Sequence, residues 1–192
     1  MSTTKITVFD PSIHGHLLPA LVDLHVDCIE DDNSLMRFHP PFDEEKRGKM
    51  LRFWEARTGL IAEGFKIRFM TMDVSTDGVE SLSGVVELGM PESDTGPFRG
   101  DVEMLMISPA HRRKGLARLL MDEMEKAALQ RGRTLLQLST TAGSPAADYL
   151  YPSLGYIKFG TMPNYGITPN TGVLADGEYF YKDLARQTKT EK

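Results

Sequence analysis

Four cations, Arg112, Arg113, Lys114 and Arg118, crowd around Gly115 and Ala117. Before them the apolar run Met104-Leu105-Met106-Ile107 ends at Ser108-Pro109. After them Leu116, Leu119, Leu120, Met124, Ala127 and Ala128 recur at helical spacing. The pattern is a strand, a turn and a helix that opens on positive charge. A helix start offers free backbone N–H groups and a partial positive charge, which makes it an anion site by construction. Gly115 and Ala117 keep the approach clear of bulky side chains, so a pyrophosphate is the natural guest. Cations in a first helical turn oppose the helix dipole, and that conflict favours a bound anion over a bare solvated helix start. The sequence contains neither G-x-x-x-x-G-K-[ST] nor G-x-G-x-x-G, so the two common nucleotide fingerprints are excluded.

Asp101 and Glu103 stand two apart on the strand leading to Ile107 and therefore share one of its faces. They are the candidate proton acceptors, with ordinary surface carboxylates as the alternative. His14, His16, His25, His39 and His111 are scattered without metal-ligand spacing, so no metal is expected. Cys28, the single cysteine, falls in a helical pattern and reads as a buried structural thiol. The eleven methionines read as core filler.

These residues must be positioned by one domain, because 192 residues are enough for a single sizeable core and short for two. The net charge of −5 argues against nucleic acid and suits a small cationic partner. No stretch approaches the roughly 18 apolar residues of a membrane span, and the N-terminus lacks the apolar core of a signal peptide. A cytoplasmic protein, monomeric or homodimeric, is expected.

The spacing predicts a strand over Lys5–Phe9 and helices over Leu17–Ile29 and from Asp43 to Gly64, with a loop over Asn33–Phe42 between them. Strands follow at Phe65–Val74, Leu82–Met90 and Asp101–Ile107, then a helix of about 20 residues from Arg112 to Gly132. Leu135–Leu138 is a strand, Ser144-Pro145 starts a short helix, and Gly155–Phe159 is a strand. The Pro-, Gly- and Asn-rich segment 163–178 reads as a loop, and Glu178–Leu184 as the last strand. The expected fold is a single α/β domain over 1–184, its central sheet mixing antiparallel and parallel pairs between flanking helices, with a polar tail at 185–192.

Arg112-x-x-Gly115-x-Ala117 after a strand resembles the coenzyme A motif of the GNAT superfamily of N-acetyltransferases. Ser144 to Tyr156, with Tyr151-Pro152-Ser153-Leu154-Gly155-Tyr156, resembles that family's later segment. More narrowly, the C-terminal half is similar to the tabtoxin-resistance acetyltransferases. The matching pieces are 120–125, Thr140-Thr141-Ala142-Gly143-Ser144, Pro163-Asn164-Tyr165, Thr168-Pro169 and Tyr179-Phe180-Tyr181-Lys182. The resemblance implies acetyl-coenzyme A as cosubstrate. It implies that the backbone of Leu105, Met106 and Ile107 pairs with the pantetheine arm, as an added strand would. Amides from Arg113 through Lys114, Gly115, Leu116 and Ala117 to Arg118 would hold the pyrophosphate, beside Arg112. Ser144 takes the place of a pantetheine-binding asparagine, and Tyr151 that of the general acid. Asp101 matches a glutamate base of several members. Phe38, His39, Phe42 and Trp54 would wall the amine site, with core packing as the alternative.

The implied reaction is direct attack by a primary amine of a small molecule on the thioester, since no activated nucleophile is evident. A protein N-terminal or lysine acetyltransferase and a non-catalytic coenzyme A-binding module are the rival readings. A tyrosine near pKa 10 protonates a thiolate near 8.5 at a cost of roughly 2 kcal/mol. A lysine-like amine is about 1 part in 2,500 neutral at pH 7 and an α-amine about 10%, so the α-amine demands less of a base. The tabtoxin-resistance pattern has Asp and Glu where this chain has Ser139 and Thr141, so the acid–base role of that aspartate is not carried over.

Overall fold

The computed structural model describes residues 3–32 and 35–187. The strands are β1 (Thr3–Val8), β2 (Lys66–Val74), β3 (Glu80–Gly89), β4 (Arg99–Ile107), β5 (Leu135–Thr141), β6 (Ile157–Ile167) and β7 (Leu174–Asp183). The helices are α1 (Pro11–His14), α2 (Leu18–Asp32), α3 (Glu44–Ala62), α4 (Leu116–Gln130), α5 (Tyr151–Ser153) and α6 (Leu184–Gln187). The strands form one sheet in the order β1-β2-β3-β4-β5-β7-β6, antiparallel except for β4 and β5. This is the expected single α/β architecture with a mixed sheet.

Alternation along the strands sends apolar side chains to both sheet faces. On one face Phe69, Val86, Leu88, Val102 and Leu136 pack with Leu120, Met121 and Met124 of α4, together with Tyr151 and Phe180. On the other face Met70, Met72, Val85 and Met106 pack with Leu21, Cys28 and Ile29 of α2 and Met50 and Trp54 of α3. Asp43 caps α3, accepting the Lys46 N–H at 2.8 Å, with Glu44 and Glu45 in the first turn. Cys28 is buried as expected, and its thiol, pushed up to about 11 by burial, lies 3.4 Å from the Ile107 carbonyl.

Two expectations about elements are corrected. α4 starts at Leu116 rather than Arg112 and has 15 residues, because Arg113 (φ 64°) and Gly115 (φ 80°) are left-handed and cannot continue a helix backwards. Residues 163–178 are mostly strand, since β6 runs to Ile167 and β7 begins at Leu174. Pro163 is tolerated because the ladder is irregular between Met162 and Gly166, on the strand that ends the sheet. The tail is helical through Gln187; residues 188–192 lie outside the described residues.

Candidate active site

β4 changes character at Met104. Val85 of β3 pairs with Met106 but Glu87 with Glu103, so three steps on β4 answer two on β3. Met104, at φ 52°, takes up the extra residue as a bulge, which bends the strand and sharpens its twist. On its other side β4 pairs with β5 only over Arg99–Asp101, opposite Leu135–Gln137, although both strands continue beyond that point. The strands therefore part, and the outer edge of β4 through Leu105 and Met106 has no strand beside it among the described residues. A ligand with amides in an extended arm can pair with such an edge. The Ile107 carbonyl is already engaged, accepting Arg112 Nε at 3.3 Å.

The open edge leads into the turn before α4. Gly115 is the N-cap in the left-handed region and offers no capping side chain. The helix's own ladder begins with Leu119 N–H donating to the Gly115 carbonyl at 3.1 Å, so the amides of Leu116, Ala117 and Arg118 precede it. A Cβ on Gly115 would meet nothing within 4 Å. Within the protein the glycine is thus required by φ rather than by space.

The four cations divide into two roles. Arg112 reaches back to α2, bonding Asp31 and, at 3.2 Å, Asp32. Arg118 donates to Ser153 Oγ at 2.8 Å and ties α4 to α5. Arg113 and Lys114 are exposed and form no ion pair among the described residues. They are the charges left for an anion. Ser144 Oγ accepts the Ala147 N–H at 3.2 Å, so this residue caps the turn leading to Tyr151 while its O–H stays available as a donor.

Tyr151 is buried, with its ring 5.8 Å from Tyr156 and 5.6 Å from Phe180. Burial raises its pKa above the ordinary tyrosine value, which keeps the phenol protonated and makes it a weaker acid. Asp101 accepts Gln137 Nε2 at 2.6 Å across the parallel pair and lines a cavity of about 340 Å³ with Leu60, Phe65, Lys66 and Met90.

Glu103 belongs to a buried ionic network. It binds Arg57 and, at 3.0 Å, Lys66, while Glu87 receives Arg57 Nε at 2.6 Å and Arg68 Nε at 2.7 Å. Burial opposes ionisation of Glu103, but the guanidinium of Arg57 and then the ammonium of Lys66 outweigh it and hold the carboxyl below the usual range. That makes it a poor proton acceptor. Gly89 is what lets this pair close, since a methyl there would sit 2.5 Å from Glu103 Oε1 and 3.4 Å from Lys66 Nζ.

The expected wall of the amine site separates. Phe38 and His39 line a cavity of about 210 Å³ with Met36, Tyr165 and Ile167. Trp54 does not belong to it: its side chain is 0% exposed, and the Arg68 guanidinium lies 4.9 Å over its ring. Phe42 packs at the margin of the same core. Gln137, Arg57 and Lys66 escaped sequence reasoning because nothing local marks their partners, whereas Tyr165 lay within a segment that carried the resemblance.

A model of the acetyltransferase (GNAT) family matches residues 30–156, about two thirds of the chain. The chain belongs to the GNAT acetyltransferase family. An uncharacterised protein of Mycobacterium leprae is 26% identical over 161 residues, which is 81% of this chain and 37% of that protein. This GNAT chain thus spans little more than a third of the length of that relative. A protein of Salmonella typhimurium, solved with its cofactor acetyl-CoA, has 18% identity and a TM-score of 0.67, with 95% of this chain and 94% of the other covered. An Acinetobacter baylyi protein described as an acetyltransferase reaches a TM-score of 0.73 at 16% identity, with 96% and 94% covered. At these identities the likeness is one of fold. Acetyl-coenzyme A fits the GNAT site in this chain on three observations: the unpartnered β4 edge, the left-handed Gly115 ahead of free helix amides, and the two unpaired cations beside them. Among the described residues no three His, Cys, Asp or Glu side chains group as a metal site, and no helix is long and apolar enough to cross a membrane.

Proposed function

We propose that this chain transfers acetyl from acetyl-coenzyme A to a primary amine of a small molecule, in a ternary complex without a covalent enzyme intermediate. The observation that carries the reading is the continuity of the parted β4–β5 edge with the Gly115 helix start. Together they suit one long ligand with amides at one end and a pyrophosphate at the other. Leu105 and Met106 would pair with the amide arm. The amides of Leu116, Ala117 and Arg118, with Arg113 and Lys114, would hold the pyrophosphate. Arg112 positions the turn through Asp31 and Asp32 rather than touching the phosphates. When bound, the thioester supplies an activated acetyl group.

Asp101 is the favoured proton acceptor because Glu103, held by Arg57 and Lys66, has lost basicity. The amine's lone pair forms the new C–N bond, the C–S bond breaks, and the ammonium proton passes to Asp101 or to water. Tyr151 would donate to the departing sulfur. Full transfer from an ordinary tyrosine is uphill by about 2 kcal/mol, and burial raises that cost. Its contribution is therefore a hydrogen bond that strengthens as negative charge gathers on sulfur.

The amine would enter by the cavity at Phe38 and His39, which the aromatic Tyr165 also lines. The likeness of the C-terminal half to the tabtoxin-resistance acetyltransferases supports an amino-acid-like or antibiotic-like acceptor. Ser139, exposed on β5, supplies no carboxylate there, so an α-amine of low pKa is favoured over a lysine side chain. Thiol release from acetyl-coenzyme A across a panel of small amines and peptides tests this. Turnover is expected with a small α-amine. Coenzyme binding with no release on any amine, or release on peptides alone, would defeat the reading.

A further inference from the structure

β7 shows two faces of opposite character. Phe180 and Lys182 turn toward α4, where Lys182 binds Glu125 at 2.6 Å. Alternation sends Tyr179 and Tyr181 the other way, to the side of the sheet that carries α2 and α3. Those helices cover β2, β3 and β4; β5, β7 and β6 lie beyond them, with Leu35 packed at Gly166 near the far end of β6. On β5 the residues opposite the two tyrosines, Ser139 and Gln137, are exposed. On β6, Ile157 is 54%, Phe159 62%, Met162 49% and Tyr165 49% exposed.

The rings form a connected platform. Phe159 lies 6.0 Å from Tyr181 and 6.2 Å from Tyr179, and Tyr165 meets Tyr179 edge-on at 5.8 Å. Tyr165 lies across the strand at Gly177, where a Cβ would come within 2.9 Å of its ring. The side chains are thus held in place before any partner arrives, which lowers the ordering cost of association. Charge is sparse on the platform: on β7 only Asp183, at the end of the strand and 3.1 Å from Arg186 Nε, shares the face of the two tyrosines. Lys158, the single charged residue of β6, lies on the opposite face, bound to Glu178 at 3.0 Å.

The geometry points to a second copy of this chain as the occupant, packed on this face about a two-fold axis. Two copies carrying −5 each repel one another over most of their surfaces, so contact is favoured where charge is sparse. A charged ligand finds little complement there. The apolar side-chain surface on offer is on the order of 500 Å² per copy. That matches the non-polar share of the roughly 800 Å² per partner that a stable interface buries. Packing on the face is favoured over extension of the sheet, because Pro163 and the irregular ladder between Met162 and Gly166 blunt the β6 edge. Tyr165 also lines the cavity with Phe38 and His39, so the contact borders that cavity in each copy.

Sedimentation velocity on the full chain between about 1 and 100 µM tests this. The wild type is expected to sediment mainly as a dimer. Phe159→Asp puts a carboxylate on the platform of each copy and should weaken the dimer at least about 100-fold while circular dichroism stays native. If that variant fails to fold, Tyr165→Lys puts charge on the same platform and should do the same. Leu129→Asp, on exposed α4 surface, should leave the dimer intact. A wild type that is monomeric throughout, a dimer unaffected by charge on the platform, or equal loss with Leu129→Asp would each overturn the proposal.

Discussion

Replacing Gly115 puts three separable demands on the helix start. The residue sits at φ 80°, ψ 2°, and a Cβ there touches nothing. Gly115→Ala should therefore cost only backbone strain, about 1–2 kcal/mol of stability, with no clash to repair. Gly115→Asn should recover part of that, since asparagine enters the left-handed region more readily. Neither removes an amide, so coenzyme affinity in the folded variants should stay within about threefold, or 0.7 kcal/mol. Gly115→Glu adds a carboxylate ahead of α4 beside Arg113 and Lys114. A like charge at about 6 Å costs roughly 0.7 kcal/mol in bulk water and about 3 kcal/mol at an effective dielectric of 20. The pyrophosphate should thus bind ten- to a hundredfold more weakly, and the loss should shrink as salt rises. Calorimetric titration with coenzyme A at two ionic strengths, beside thermal melts of all three variants, makes the measurement. Unchanged affinity in folded Gly115→Glu would remove the pyrophosphate from this turn. Equal losses in all three variants would show that geometry, not charge, is what the glycine supplies.

Tyr151→Phe should lower kcat by about ten- to a thousandfold with little change in coenzyme affinity, and full turnover would return Tyr151 to the core. Asp101→Asn should cost less than about tenfold on an α-amine, with kcat/KM rising through the amine's own pKa. A wild-type pKa near 6 to 7 that vanishes in the variant would instead make Asp101 an indispensable base. His25 is buried between Phe38 and Trp54, donates Nε2 to the Met36 carbonyl at 2.9 Å, and is lowered to about 4 chiefly by burial, with Arg57 adding to the effect. The unfolded chain takes up this proton near pH 6.5 and the folded one only near 4. Stability is therefore complete above about 6.5 and falls by about 3 kcal/mol as pH drops to 4. Urea unfolding at pH 7 and pH 4.5 should show the loss in wild type and a flatter dependence in His25→Gln; parallel curves would refute the assignment.

What the sequence determined was whatever depends on near neighbours along the chain. A helix start at a glycine flanked by cations suits an anion because its free amides lie within one turn of those residues, so the site proposed at Gly115 rests on residues that are neighbours along the chain. The same holds for the buried Cys28, the carboxylates sharing one face of β4, and the order of strands and helices. Tertiary structure decided which groups stay free to act. Arg112 and Asp31 are 81 residues apart, and only the packing of α2 against the β4 turn spends that arginine on structure. Glu103 loses its basicity to Arg57 on α3 and Lys66 on β2, neither marked by any spacing. Trp54 carries the same aromatic signal as Phe38, yet burial under Arg68 removes it from the cavity that Phe38 lines. Asp101 meets Gln137 only through the short parallel register of β4 and β5, and the bulge at Met104 then drives those strands apart. Charge, helix caps and turn chemistry act over a few residues and can be read in order. Ion-pair partners, strand register and burial are set by which distant segments the core brings together.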